Sequence, residues 1–194
     1  MEAYYKKYSQ LLKFSPDFAN TGDGYAQGID VFWRDKKTFK NVDYWISYTF
    51  IDAKRNWHEY PETVQPSFVA DHTASLVFKK FFPKIMTSVG LSYFYATGRP
   101  YYNPNNPVFL GDRTYDFHSL NMNASYLTTI GKAFTVFVIS VTNVPGFDQV
   151  YGYRYSYDGL RRETIGPTAK RSFFIGMFMS FGQDRTKDVI NNNN

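Results

Sequence analysis

The chain has 194 residues, no Cys and a net charge of +5 that is spread along its length. No apolar run reaches the roughly 18 residues that a membrane-spanning helix needs, and no Lys/Arg cluster or known module indicates nucleic-acid binding, so both classes are excluded. The absence of Cys is compatible with an oxidising compartment and decides nothing by itself.

Alternating side chains predict eight β-strands. In chain order their ranges are 3–14, 24–35, 42–54, 70–81, 85–98, 115–129, 133–154 and 161–181. Successive strand residues point to opposite faces, so these strands present large apolar side chains on one face and small polar ones on the other. A soluble sandwich would place its large residues inside and its charged residues outside. The pattern therefore predicts an all-β fold, the antiparallel wall of a transmembrane β-barrel with a polar lumen.

The third strand illustrates this alternation. The apolar row of Tyr44, Ile46, Tyr48 and Phe50 alternates with the row that contains Ser47. We expect the apolar row to face outer-membrane lipid and Ser47 to face water. The aromatic content of 20% agrees with this expectation, because barrels carry aromatic girdles at both membrane interfaces.

The predicted connections alternate in length. Short connections are expected at 35–41, 80–85 and 130–132. Longer ones, rich in Pro, Asn, Asp, Gly and Tyr, are expected at 15–23, 55–69, 97–114 and 155–160. Bacterial barrels have short periplasmic turns and longer external loops, so we assign the short group to the periplasm and the long group to the exterior.

The last predicted strand carries the pattern of an assembly signal. Its odd-numbered positions from 173 to 181 are large and apolar, and we expect them to face lipid. Gly176, Met179 and Phe181 resemble the C-terminal signal of Gram-negative outer-membrane barrels, which implies the barrel assembly machinery as a partner. Phe174 stands where that signal usually has a polar residue.

The two ends of the chain give different expectations. Residues 1–5 have neither the basic nor the apolar region of a signal peptide. We therefore expect the chain to be a piece of a larger protein of the Gram-negative outer membrane. Residues 1–182 would form its barrel segment, and the polar residues 183–194 a mobile periplasmic tail.

Candidate ligand contacts lie in the predicted external loops. They are Trp57, His58, Tyr60, Arg99, Tyr101, Tyr102, Asn103 and Arg113. Loops on a rigid scaffold often carry binding functions, but interface aromatics and turn residues explain these positions about equally well.

No catalytic, cofactor-binding or metal-binding residue is expected. His58, His72 and His118 show no metal-binding spacing. Asp71 and His72 are neighbours on a predicted strand and point to opposite faces, so they do not form a catalytic pair. The glycine-rich segment 22–28 precedes a strand and lacks the helix N-terminus that would hold phosphate. The sequence therefore predicts a protein that is not an enzyme.

Five segments resemble strands of TonB-dependent outer-membrane receptors, in the style of Bacteroidetes proteins. They are residues 24–31, 44–54, 96–101, 141–144 followed by 149–153, and 166–167 followed by 170–176. Segment 96–101 is similar to the strand end that opens a large external loop, 141–153 to the penultimate strand and 166–176 to the last one. The resemblance covers nearly the whole chain in the family's order and implies the C-terminal part of such a barrel.

By resemblance, these receptors have a barrel of about 22 strands, an N-terminal plug domain inside it and a segment that contacts TonB. The implied function is uptake of a nutrient such as a siderophore or a glycan. The chain would supply about eight strands, so its implied partners are lipid, the plug, the other strands and, through the missing N-terminal segment, the TonB complex.

The alternative is a complete small eight-stranded outer-membrane protein with a structural or binding role. Eight strands can close around an interior that side chains fill. The absence of a signal peptide argues against this alternative. So does the lumen face of Gly, Ser and Asn, because these side chains are too small to fill a narrow bore.

Overall fold

The computed structural model describes residues 1–182 and is built from β-strands, with one short 3-10 turn at Pro83–Ile85. The strands are β1 (Glu2–Lys13), β2 (Ala19–Asp35), β3 (Val42–Asn56), β4 (His72–Phe82), β5 (Thr87–Ala96), β6 (Pro100–Tyr101), β7 (Asp112–Arg113), β8 (Phe117–Ile130), β9 (Ala133–Thr142), β10 (Gly152–Tyr155), β11 (Arg162–Ile165) and β12 (Ser172–Phe181). Within the described residues, no helix is long and apolar enough to cross a membrane. The expected tail at 183–194 lies outside them.

Eight of the strands form one antiparallel sheet in the order β1-β2-β3-β4-β5-β8-β9-β12. The remaining four form two small hairpins, β6 with β7 and β10 with β11, which project from the long connections. The prediction of an all-β antiparallel sheet of about eight strands is therefore confirmed. Between residues 1 and 182, β1 and β12 do not pair with each other, so the sheet is open and has two free edges.

The two last predicted strands were wrong in extent. The strand predicted at 133–154 ends at Thr142, because Asn143 and Gly146 adopt left-handed backbone conformations with φ of 49° and 75°, and Pro145 lies between them. The strand predicted at 161–181 is interrupted after Ile165, and the chain rejoins the sheet only at Ser172. The connection predicted at 155–160 is thus the tip of a much longer loop, 143–171.

The first predicted connection was also wrong in length. β2 begins at Ala19 rather than at residue 24, so only residues 14–18 join it to β1. The pairing of β1 with β2 therefore extends beyond two register shifts. At this point Gly22 lies close to both neighbouring strands. A Cβ atom at Gly22 would lie 2.3 Å from the Asn56 carbonyl oxygen, so this approach requires glycine.

One face of the sheet, here called the apolar face, is continuous across the strands. The register places Trp33 opposite Ile46, Ile46 opposite Leu76 and Leu76 opposite Tyr93. The same row continues through Leu120 on β8. On β12 the odd-numbered residues 173–181 pair with odd-numbered residues of β9, which belong to the same face.

The other face, here called the polar face, carries small side chains in its middle. Ser47 lies opposite Ser75, Gly90 opposite Asn123, and Asn123 opposite Ser140. Small polar residues here leave room for water, as in the interior of a wide barrel.

Both buried hydrophobic clusters lie on the polar face, at opposite ends of the strands. The cluster at the end of the long connections joins Ala26, Ala53 and Val69. The cluster at the end of the short turns joins Phe81, Leu127 and Phe134. The core of this chain is therefore small and divided.

Gly176 of β12 lies on the polar face, whereas Met179 and Phe181 lie on the apolar face. A Cβ atom at Gly176 would lie 2.8 Å from the ring of Phe174 and 3.4 Å from the ring of Phe178. The two phenyl rings therefore cover Gly176, which explains why large residues flank it on the polar face.

Candidate functional site

The candidate ligand contacts lie at one end of the sheet. In an antiparallel meander, alternate connections emerge at the same end, so 14–18, 57–71, 97–116 and 143–171 lie together, here called the loop end. Connections 36–41, 83–86 and 131–132 lie at the opposite end, the turn end. Each of the eight candidate residues belongs to one of the loop-end connections or to the hairpins on them.

Four rings form what we call the aromatic stack. His58 lies between Trp57 and Phe14, with ring centroids 4.0 Å and 4.9 Å away and planes inclined by 18° and 4°. Phe18 continues the stack, 5.6 Å from Phe14. The stack therefore joins connection 14–18 to connection 57–71, which are far apart in sequence.

Backbone hydrogen bonds fix the position of His58. Its N–H donates to the Leu12 carbonyl at 2.7 Å, and its own carbonyl accepts from the Phe14 N–H at 2.9 Å. His58 has a left-handed φ of 51°, which turns its side chain between the two neighbouring rings. The imidazole is thus held by packing and by the end of β1.

An open groove of about 680 Å³ lies beside this stack, and we call it the aromatic groove. Its lining residues are Phe14, His58, Glu59, Tyr60, Pro61, Tyr102 and Phe109. Phe109 and Tyr60 meet edge to face, with centroids 5.2 Å apart and an interplanar angle of 67°, and Phe109 lies 6.0 Å from Tyr102. The groove therefore combines rings from three loop-end connections in a volume typical of small-molecule sites.

Behind the stack, the Arg55 guanidinium packs on three rings. It lies 4.5 Å from the centroid of Tyr8, 5.1 Å from that of Trp57 and 5.5 Å from that of Phe68. Within residues 1–182, neither Arg55 Nε nor Trp57 Nε1 has a hydrogen-bond partner although both atoms are buried. The ring faces are the favourable electrostatic contacts of this guanidinium.

Two predicted contacts instead brace the loops. Arg113 forms an ion pair with Asp71 at 2.8 Å and donates to Gln65 Oε1 at 2.6 Å. The Asn103 amide donates to the Asp112 carboxylate. Both side chains are thus engaged by partners within the chain, and they stabilise the loops without lining the aromatic groove.

Tyr101 belongs to a second contact between loops. Its ring lies 4.6 Å from that of Tyr153 on β10, and its hydroxyl oxygen accepts a hydrogen bond from Arg162 at 3.4 Å. Burial raises the pKa of both the Tyr101 and the Tyr153 hydroxyls above the ordinary tyrosine value. Both phenols therefore stay protonated at neutral pH, and hairpins β6–β7 and β10–β11 pack through neutral rings.

Arg99 lies apart from the aromatic groove. It lines a separate cavity of about 220 Å³ together with Thr114, Tyr115, Phe117 and Tyr151. The structure thus brings His58, Tyr60 and Tyr102 together around one groove, with Trp57 stacked behind His58. Arg99, Tyr101, Asn103 and Arg113 lie elsewhere in the loop end.

Sequence reasoning missed four lining residues, Phe14, Glu59, Pro61 and Phe109. Phe14 was placed at the end of a predicted strand, although Ser15-Pro16 directly after it is a turn signal that could have marked it as a loop residue. Phe109 and Glu59 lie in predicted loops rich in other candidates, and no spacing in the sequence distinguishes them.

The apolar face carries a repeated contact near the loop end. Tyr48 on β3 is hydrogen-bonded to His72 Nδ1 on β4, and Tyr93 on β5 to His118 Nδ1 on β8, both at 2.8 Å. Each tyrosine reaches its histidine diagonally across the two strands. The residue directly opposite the tyrosine lies two positions after that histidine in the chain. Asp71 points away to Arg113, which agrees with the expectation that Asp71 does not orient His72.

In the part of the chain that the structure describes, no three His, Cys, Asp or Glu side chains lie close enough together to hold a metal ion.

Residues 1–144 match the protein family described as TonB dependent receptor-like, beta-barrel. No curated protein matches the chain. The matched range runs from β1 through β9 and includes every residue that lines the aromatic groove.

Proposed function

The chain belongs to the TonB-dependent receptor-like β-barrel family, and from this premise we propose that it forms part of the wall, the lumen lining and the external loops of a receptor that takes up a nutrient such as a siderophore or a glycan. The family consists of outer-membrane receptor and transport barrels and is not an enzyme family. Accordingly, we propose a transport role and no catalytic one.

The observation that carries this proposal is the contrast between the two faces of one continuous sheet. The apolar face suits hydrocarbon and the polar face suits a water-filled or plugged lumen. We propose that Ile46 and its row, together with the odd-numbered residues of β12, face lipid. The loop end then lies outside the cell, the turn end faces the periplasm, and the chain beyond residue 182 continues there.

The free edges of β1 and β12 support a role as a wall segment. Each edge presents backbone N–H and C=O groups that are costly to leave unpaired in lipid. We propose that other strands of the same receptor pair with these edges and that a plug domain occupies the lumen. The open sheet argues against the alternative of a complete eight-stranded barrel.

The placement of the faces can be tested with spin labels at Ile46 and Ser47 in the protein reconstituted in lipid. We expect the label at Ile46 to be accessible to oxygen in the bilayer and the label at Ser47 to a water-soluble nickel chelate. Equal accessibility of the two sites to the nickel chelate would contradict the assignment.

The role as a wall segment can be tested by solute flux. The purified chain in liposomes should show no solute uptake that depends on a protonmotive force, because energy coupling belongs to the plug and the TonB-contacting segment. Force-dependent uptake by this chain alone would refute the proposal.

A further inference from the structure

The aromatic groove has walls of rings and one acidic side chain, Glu59. We propose that it binds an organic cation, in particular an alkylated ammonium group of the ligand that the receptor takes up. The inference deepens the proposed uptake function, on which its biological meaning rests, by naming the chemical class of one part of the substrate.

The geometry of the rings supports cation binding. The face of an aromatic ring carries partial negative charge and attracts cations, most strongly when several faces surround one space. Phe109 meets Tyr60 at 67° and Tyr102 at 49°, so the three ring planes point in different directions around the groove. Phe14 is stacked between His58 and Phe18, so it lines the groove with its edge and adds apolar contact rather than a ring face for the cation.

The charge distribution around the groove agrees. Glu59 is the carboxylate in the lining and is exposed to solvent. The neighbouring cations are turned to other partners: the Lys13 ammonium donates to Asn56 Oδ1 at 2.5 Å and to the Tyr60 carbonyl at 3.2 Å, and Arg55 packs on rings behind the stack. An anionic ligand would meet both the Glu59 carboxylate and the negative ring faces.

The size and apolar character of the groove favour an alkylated cation over a bare ammonium ion. A volume of about 680 Å³ holds a cationic head together with an attached portion of a larger molecule. Alkyl groups on the nitrogen reduce its hydration, so the cation loses less on leaving water and gains apolar contact with Pro61 and the rings.

The test uses the full chain purified in detergent and two probes of the same shape. Choline carries a trimethylammonium head, and 3,3-dimethylbutan-1-ol replaces the charged nitrogen by carbon. Titration calorimetry at millimolar probe concentrations should show binding of choline and clearly weaker binding of the neutral alcohol. Equal affinity for the two probes, or no choline binding, would overturn the proposal.

Variants locate the binding in the groove. Phe109→Leu keeps apolar volume and removes the ring, and it should weaken choline binding by about 2- to 30-fold while leaving the neutral alcohol nearly unaffected. Glu59→Gln should also weaken choline binding selectively. Tyr102→Leu, at a more exposed position, provides a second ring deletion if Phe109→Leu folds poorly.

Matched controls separate the groove from general effects. Phe39→Leu removes an exposed ring at the turn end, and Glu62→Gln removes an exposed carboxylate that does not line the groove. Neither should change choline binding, and a loss in the controls equal to that in the groove variants would refute the site. Binding is measured at equilibrium without energy coupling, so a negative result leaves the uptake proposal standing, and failed uptake leaves the binding result standing.

Discussion

On the apolar face, Ile46 and Leu76 are each 44% exposed, whereas on the polar face Phe81 is 2% and Leu127 is 5% exposed. The polar face also exposes rings, such as Phe94 at 41%, so the contrast is largest between the middle of the apolar face and the turn end of the polar face, where Phe81 and Leu127 are buried. In water the exposed set would be an aggregation surface, because contiguous apolar patches of this extent are rare on soluble monomers. The difference supports the proposal that this sheet meets hydrocarbon on one face and water on the other.

The largest loss of stability is expected from a charge placed on the apolar face. In the intact receptor barrel, Met177→Arg should reduce the stability in lipid by about 2–4 kcal/mol, because a guanidinium near the bilayer midplane loses its hydration. Asn123→Arg, on the polar face, should change the free energy of unfolding by less than about 1 kcal/mol. Urea unfolding in lipid vesicles measures both, and equal effects would contradict the assignment of the faces.

At the loop end, the start of connection 143–171 depends on Asn143, which is almost fully buried. Its side chain donates to the carbonyls of Phe147 and Lys170 at 2.8 Å and accepts from the Phe147 N–H at 3.0 Å. Asn143→Ala should cost about 2–3 kcal/mol because these groups lose their partner. Thermal unfolding measures the cost, and Asn105→Ala, which removes one hydrogen bond between loops from an exposed side chain, is the control.

Two glycines on the polar face should differ in their tolerance of a methyl group. A Cβ at Gly28 would lie 2.3 Å from the Phe50 carbonyl oxygen, whereas the nearest atom to a Cβ at Gly176 belongs to the movable ring of Phe174. Gly28→Ala should therefore cost about 2–3 kcal/mol and Gly176→Ala about 1 kcal/mol or less. The reverse order in denaturant midpoints would show that the sheet relaxes at Gly28.

The smallest expected effect concerns the polar contacts within the apolar face. Tyr48→Phe and Tyr93→Phe each remove a hydrogen bond to a histidine and should each cost about 0.5–1.5 kcal/mol. Tyr126→Phe is the matched control, since this exposed tyrosine on the same face stacks on Phe137 through its ring. A control effect as large as that of Tyr48→Phe would argue against a specific role of the Tyr–His pairs.

The sequence was sufficient to predict the middle of the sheet and insufficient at its loop end. Period-two alternation placed Ile46 and Ser47 on opposite faces because strand geometry fixes that relation locally. The extent of β9 depended on the left-handed backbone at Asn143 and Gly146, and only the Pro-Gly pair signalled it.

The candidate site was predicted only in part. His58, Tyr60 and Tyr102 were recognised as loop aromatics, but their assembly with Phe14 and Phe109 depends on how three connections pack together. That packing is a long-range contact, and no local spacing encodes it.

The aromatic stack also affects the order in which the two ends of β1, the strand at one free edge, would separate from the sheet. At the loop end, β1 is held by β2 and, through Leu12, Phe14 and Lys13, by connection 57–71 as well. At its opposite end, among residues 1–182, Glu2 pairs with Asp30 and with no other strand. A pulling force on β1 therefore meets its strongest resistance near Phe14, and we expect the strand to unzip from Glu2 towards the loops.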